Sequence, residues 1–251
     1  KPYQKIAHHV SYFNSGFCDD RTLVVVMKKR GVYSNFKVLE PICGDLRDQS
    51  NSKKYFKKAG LFQRMPPWFK NYSEFYIGAE SYSVYFLNKR LAVVCSRGFE
   101  IVDLNNLSTN VNLPRNPLDP SFTFLQQQKE LKPLGMFKCP RNYLLCYDML
   151  VFIVEENGRL SDNKFFFEWE GIPQSVAFYY PYIVGFDPRF IEIRNVETGE
   201  LVQILAGIHM RCLRFTSQKI APVIHGCMAH PFKPDFQYVF QLVGTFEPPL
   251  V

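Results

Sequence analysis

Three arrangements in this 251-residue chain bring together residue types that could do chemistry. Asp19-Asp20 and Glu155-Glu156 each offer two carboxylates, the minimum for paired acid–base work. Adjacent strand positions point to opposite faces, so neither pair converges on one substrate atom; both read as solvated turn residues. The run His225-x-Cys227-x-x-His230 places potential metal ligands close together, but it lacks a fourth ligand and the usual zinc spacing. It reads as an incidental loop cluster, and His8-His9 is a weaker case still. The chain contains no nucleophile elbow, no phosphate-binding glycine loop and no dinucleotide fingerprint. The expectation is therefore no catalytic residue, no metal and no cofactor.

The residues left over suit binding. The chain carries seven cysteines with no C-x-x-C pair. Cys95 and Cys146 lie inside apolar strand runs, which points to buried free thiols and a reducing compartment. On that reading the acceptor matches Asn71-Tyr72-Ser73 and Asn106-Leu107-Ser108 are accidental. Net charge is +7, which permits an acidic partner or an anionic membrane surface. The stretch from Asp45 to Phe75 stands out, with seven cations against three acids. There Lys53, Lys54, Lys57 and Lys58 sit beside Tyr55 and Phe56, before Pro66-Pro67-Trp68-Phe69. We read it as an insertion with a short helix over Lys53 to Ala59. Lysine stems among aromatics suit an acidic protein face or anionic lipid. The basic residues form no phosphate-tracking stripe along the rest of the chain, so no nucleic-acid partner is expected.

These side chains need a scaffold, and the pattern is all-β. Aromatic content is 16% and charged content 21%, a composition that favours packed strands over disorder. Trp169 to Leu205 reads as one four-stranded antiparallel unit: Ser175 to Tyr179, Tyr182 to Phe186, Phe190 to Val196 and Leu201 to Leu205. Asp187-Pro188-Arg189 and Glu197-Thr198-Gly199-Glu200 supply the turns. Four short strands joined by hairpins are the size of one β-propeller blade. Strands at Val10 to Phe13, Thr22 to Met27 and Val32 to Leu39 make a first blade. Tyr82 to Leu87, Leu91 to Cys95 and Phe99 to Leu104 make a second, and Leu134 to Trp169 a third. Asn105 to Pro120 reads as a loop, and Gln126 to Lys132 as one helical turn or a polar linker. Met210 to Phe215 starts a fifth blade. No pattern is legible from Thr216 to Pro234, and Phe236 to Val243 looks like an isolated strand. Propellers bind through loops on a rigid scaffold. The turn residues Lys28, Lys29, Arg30, Arg97 and Arg189 therefore join Lys53, Lys54, Lys57, Lys58 and Trp68 as candidate protein-interaction residues. No apolar run approaches the roughly 18 residues of a membrane-spanning helix. The chain opens at Lys1 and reads as a domain excised from a longer protein, so absent targeting signals say little.

Several runs resemble the citron homology (CNH) domain, in the version found in fungal Rho guanine nucleotide exchange factors. They are Cys18-Asp19-Asp20-Arg21-Thr22-Leu23, Phe36-Lys37-Val38-Leu39-Glu40-Pro41, Ser96-Arg97-Gly98-Phe99-Glu100-Ile101-Val102, Trp169-Glu170-Gly171-Ile172-Pro173 and Val196-Glu197-Thr198-Gly199-Glu200-Leu201. The resemblance runs from about Ser11 to Phe215. It implies a seven-bladed propeller, of which four blades and the start of a fifth are readable here, forming one domain over residues 1–251. It also implies a non-catalytic interaction module in a multidomain parent, whose exchange activity would reside in a Dbl-homology domain absent from this chain. The expected partners are a Rho-type small GTPase and other signalling proteins. The expected place is the cytoplasm, with recruitment to the cell cortex in cell-wall integrity and polarised growth. An anionic membrane-docking module, or a CNH domain from a kinase or vesicle-tethering protein, is the alternative.

Overall fold

The computed structural model describes residues 5–42, 68–128, 130–162, 165–216 and 223–243. Among them, nineteen strands form five antiparallel sheets, four with four strands and one with three. The chain divides into two compact units, Lys1–Val111 and Asn112–Val251.

In the first unit β1 (Tyr12–Cys18), β2 (Arg21–Arg30), β3 (Tyr33–Pro41) and β4 (Phe69–Ile77) form one sheet in sequence order. The second sheet follows as β5 (Ser81–Leu87), β6 (Arg90–Cys95), β7 (Gly98–Val102) and β8 (Val111–Leu113), with the unit boundary inside β8. Strand periodicity decides what is buried. Leu23, Val25 and Met27 alternate along β2 and all face inward with Phe36, Val38, Phe75 and Ile77. Phe36 and Phe75 stack with centroids 4.7 Å apart. Val84, Leu91, Val93 and Cys95 complete this core from the second sheet. The first strands of the two sheets lie side by side. The Tyr12 hydroxyl and Asn14 amide both donate to the Val84 carbonyl, at 3.3 and 2.9 Å. Gly16 permits this approach, since a Cβ there would fall 2.5 Å from the Phe86 ring.

The second unit repeats the plan. β9 (Pro133–Lys138), β10 (Asn142–Tyr147), β11 (Leu150–Glu155) and β12 (Phe166–Glu168) form the third sheet. β13 (Ser175–Tyr179), β14 (Tyr182–Asp187), β15 (Phe190–Asn195) and β16 (Leu201–Ala206) form the fourth. β17 (Arg211–Thr216), β18 (Val223–Ala229) and β19 (Gln237–Leu242) form the fifth. Again the first strands neighbour one another, β9 beside β13 and β13 beside β17. Ala177, Phe186, Ile191, Met210 and Ile224 fill the space between the fourth and fifth sheets. Sequential antiparallel meanders packed first strand to first strand are the blade pattern of a β-propeller.

The sequence reading places the third and fourth blades within a residue or two, and the structure corrects it elsewhere. Phe69 to Phe75, assigned to the insertion, belongs to the fourth strand of the first blade, Phe69–Ile77, which pairs with β3 along its length. Within the loop assigned to Asn105–Pro120, Val111–Leu113 is the short fourth strand of the second blade. The helical turn lies earlier than Gln126 to Lys132, as a 3-10 turn over Pro120–Phe122 running into α1 (Thr123–Gln126). The patternless region contains β18, and β19 is paired with it along six residues rather than isolated. The helix expected over Lys53 to Ala59 lies outside the described residues.

Candidate protein-interaction rim

In each unit the turns between second and third strands share one edge of the sheets with the connections that lead into each next sheet. In the second unit hydrogen bonds from side chains and backbone groups tie the loops to the sheets. Trp169 donates its indole N–H to the Tyr147 carbonyl at 3.0 Å, fixing the start of the connection from β12 to β13. Glu192 on β15 accepts the Glu170 N–H at 2.9 Å. Arg194 donates Nε to Glu192 at 2.5 Å, Nη2 to Glu170 at 3.0 Å and Nη1 to the Gly199 carbonyl at 3.1 Å. Its guanidinium also lies over the Phe167 ring. Gly171 is required at the next position, because a Cβ would fall 2.7 Å from the Phe190 ring and 2.8 Å from the Asp187 carboxylate.

Asp187, buried at the end of β14, latches two loops together. One oxygen accepts the Ile172 N–H at 3.0 Å; the other accepts the Arg189 N–H at 2.8 Å and its Nε at 3.1 Å. Burial alone would push this carboxyl up, but the Arg189 side chain and the two backbone N–H groups outweigh it and hold it below the usual range. The chain of contacts continues outward. Gly207 donates to the Arg189 carbonyl, Met210 to the Pro188 carbonyl and Ala229 to the Ile208 carbonyl, at 2.9, 3.0 and 2.8 Å. Beyond β18, His230 stacks on Tyr238 with centroids 4.4 Å apart, and its Nδ1 accepts the Phe232 N–H.

This frame encloses an open cleft of about 360 Å³ lined by Gln174, Pro188, His209, Met210, Arg211 and Phe236. Ile172, Ile208 and Phe236 stand exposed on the same loops, and Phe232 is 87% exposed. Arg189, Arg211 and Lys233 are exposed cations on these segments. Exposed aromatics and arginines around a recess, on loops held by their own hydrogen bonds, are the residue types of interface hot spots. Nothing in the cleft resembles a reaction centre, and among the described residues no group of three or more His, Cys, Asp or Glu could hold a metal ion. Cys227 is buried inside β18 and His230 is committed to Tyr238 and Phe232.

The candidate residues of the first unit also converge. Lys29 lies 2.7 Å from the Glu80 carboxylate and 5.6 Å from the centroid of the Tyr82 ring. The Ser96 N–H, beside Arg97, donates to the Glu80 carbonyl at 2.8 Å. The connection at Glu80 therefore joins the Lys28-Lys29-Arg30 turn to the Arg97 turn. Arg97 sits 3.6 Å from Glu100, whose carboxyl is pushed up by burial. Trp68 is half-buried and its carbonyl accepts the Ile42 N–H. Lys53, Lys54, Lys57 and Lys58 lie outside the described residues. Of the rim in the second unit, sequence reasoning reached only Arg189. Ile172, Ile208, His209, Arg211, Phe232 and Phe236 were missed. The tract His230-Pro231-Phe232-Lys233-Pro234-Asp235-Phe236 was the available signal, since two prolines in a short loop hold aromatics away from a core.

Taken together, the five meander sheets define a β-propeller fold. Residues 3–215 match the CNH domain family, and the chain belongs to that family. It is 37% identical over 216 residues to Rho1 guanine nucleotide exchange factor 1 of Schizosaccharomyces pombe, covering 85% of this chain and 16% of that protein. It is 31% identical over 224 residues to RHO1 GDP-GTP exchange protein 2 of Saccharomyces cerevisiae, covering 88% of this chain and 15% of that protein. The chain thus spans less than a fifth of these relatives. Among solved structures, the AfRom2 CNH domain superposes with a TM-score of 0.73 at 30% identity, over 97% of this chain and 68% of that one.

Proposed function

We propose that this chain is the non-catalytic interaction and regulatory domain of a Rho guanine nucleotide exchange factor, and that it contacts a Rho-type GTPase directly. The observation that carries this reading is the likeness to two yeast Rho1 exchange proteins across 85% and 88% of the chain, while each relative is several times longer. In such a parent, exchange chemistry belongs to another domain and this one recruits or restrains. Cell-wall integrity and polarised growth at the cell cortex are the setting that the family resemblance implies. The rim in the second unit supports an interaction role, with exposed aromatic and cationic groups on loops that need no partner to order them.

The test is a pull-down of the folded domain against a Rho-type GTPase loaded in turn with GDP and a GTP analogue, at low and moderate salt. Retention of the GTPase, with a preference for one nucleotide state, is expected. Salt sensitivity would assign part of the contact to the exposed cations. Absence of binding in both states by a domain shown to be folded would refute direct recognition.

A further inference from the structure

We propose that the tip of the β2–β3 hairpin is an anionic-membrane contact, independent of the GTPase reading above. Arg30 pairs with Tyr33, so the hairpin closes through the two residues Gly31 and Val32. Gly31 has φ 63°, the conformation that a two-residue turn of this kind demands at its first central position. A Cβ added at Gly31 would meet nothing within 4 Å, so the tip stands clear of the sheet. At its apex is Val32, 81% exposed, beside the exposed ring of Tyr33. Hairpin tips are ordinarily polar; an aliphatic apex has no packing role here.

What surrounds the apex sets the partner. Lys28, Lys29 and Arg30 precede it, and Arg97 shares the edge through the Glu80 connection. The segment leading into β1 reaches the same edge, since the Ser11 N–H donates to the Met27 carbonyl at 3.0 Å. That segment adds the exposed apolar side chains of Ile6 and Val10. Across residues 5–11, 28–34, 78–81 and 96–100, the carboxylates are Glu80, which neutralises Lys29, and the buried Glu100. The edge is therefore apolar at its tips and cationic just behind them. That order suits a bilayer surface, where the acyl boundary takes the apolar apex and anionic headgroups lie level with the cations. An acidic protein face would satisfy the cations but leave Val32 without a recess to fill.

The experiment is co-sedimentation of the purified chain with vesicles of phosphatidylcholine alone, or containing about 30% phosphatidylserine, as a model of an anionic leaflet. Binding to the anionic vesicles only is expected. V32D should weaken it about tenfold, the loss of one buried aliphatic side chain. R30E and R97E should each weaken it about fivefold or more, and together they should compound. K89E, in the turn between β5 and β6 at the opposite edge, should bind as the parent does. All four side chains are exposed, three in turns and Arg30 at the end of β2, and circular dichroism checks that each variant is folded. Failure of the parent to bind anionic vesicles would overturn the proposal. So would equal binding to both vesicle types, or binding by V32D and the R30E/R97E pair that matches the parent.

Discussion

Replacing Arg194 by Met gives the sharpest test of the frame beneath the rim. Arg194 is almost wholly buried and holds three partners: Glu192 at 2.5 Å, Glu170 at 3.0 Å and the Gly199 carbonyl at 3.1 Å. Glu170 lies largely in solvent, so its pairing contributes little. Glu192 is different, with a side chain only 2% exposed. Met preserves most of the stem over Phe167 but strands the Glu192 carboxylate without its cation. Breaking a buried pair from one side costs about 3–5 kcal/mol. At about 2–4 °C per kcal/mol for a chain of this size, the midpoint should fall by roughly 6–20 °C. Thermal unfolding followed by tryptophan fluorescence reads this directly, because the Trp169 indole is anchored two residues before Gly171. The double variant E192Q/R194M removes the stranded charge while keeping an acceptor for the Glu170 N–H. It should recover about half of the loss, as neutral replacements of buried pairs do. A fall under about 2 °C for R194M, or a double variant no better than the single, would refute the reasoning.

Three further outcomes follow from the packing. In G16A the new methyl would lie 2.5 Å from the Phe86 ring, so overpacking should cost about 1–3 kcal/mol in a urea titration. For Asp187 the folded carboxyl titrates below its unfolded value, so its contribution is present above about pH 4 and lost as pH falls through the folded value. D187N should therefore be less stable at neutral pH, and its stability should fall less steeply on acidification; parallel curves for parent and variant would contradict this. Burial pushes the thiols of Cys18, Cys139 and Cys212 up to about 11. Ellman's reagent near pH 8 should label these three only after denaturant is added, and rapid native labelling would show that the sheets open readily.

How much was legible depended on where the information lay. Alternation of apolar residues exposed β13 to β16, because Ser175 to Leu205 is punctuated by Pro181, Pro188 and Gly199 at every turn. Phe69–Ile77 was hidden, since it carries Lys70, Asn71 and Glu74 on a half-exposed edge strand and pairs with a strand far back in the sequence. Val111–Leu113 is too short to show a period. Among candidate contacts, charge was visible and apolar exposure was not. Arg97 and Arg189 sit in recognisable turns, whereas Ile172, Ile208 and Phe232 read as ordinary apolar residues until a fold shows that no core lies beneath them. The latch at Asp187 was legible only as a turn former; that it also captures the Ile172 N–H required the approach of a loop fifteen residues away.

That latch bears on how such a surface changes over evolutionary time. Asp187 grips Ile172 and Glu192 grips Glu170 by their backbone N–H groups, and Gly207, Met210 and Ala229 are held the same way. A backbone donor is supplied by every residue except proline. The exposed side chains at Ile172 and Ile208 take no part in these bonds. A lineage could exchange them without disturbing the loops that present them. Folding constrains the backbone atoms of these residues and leaves their exposed side chains open to exchange.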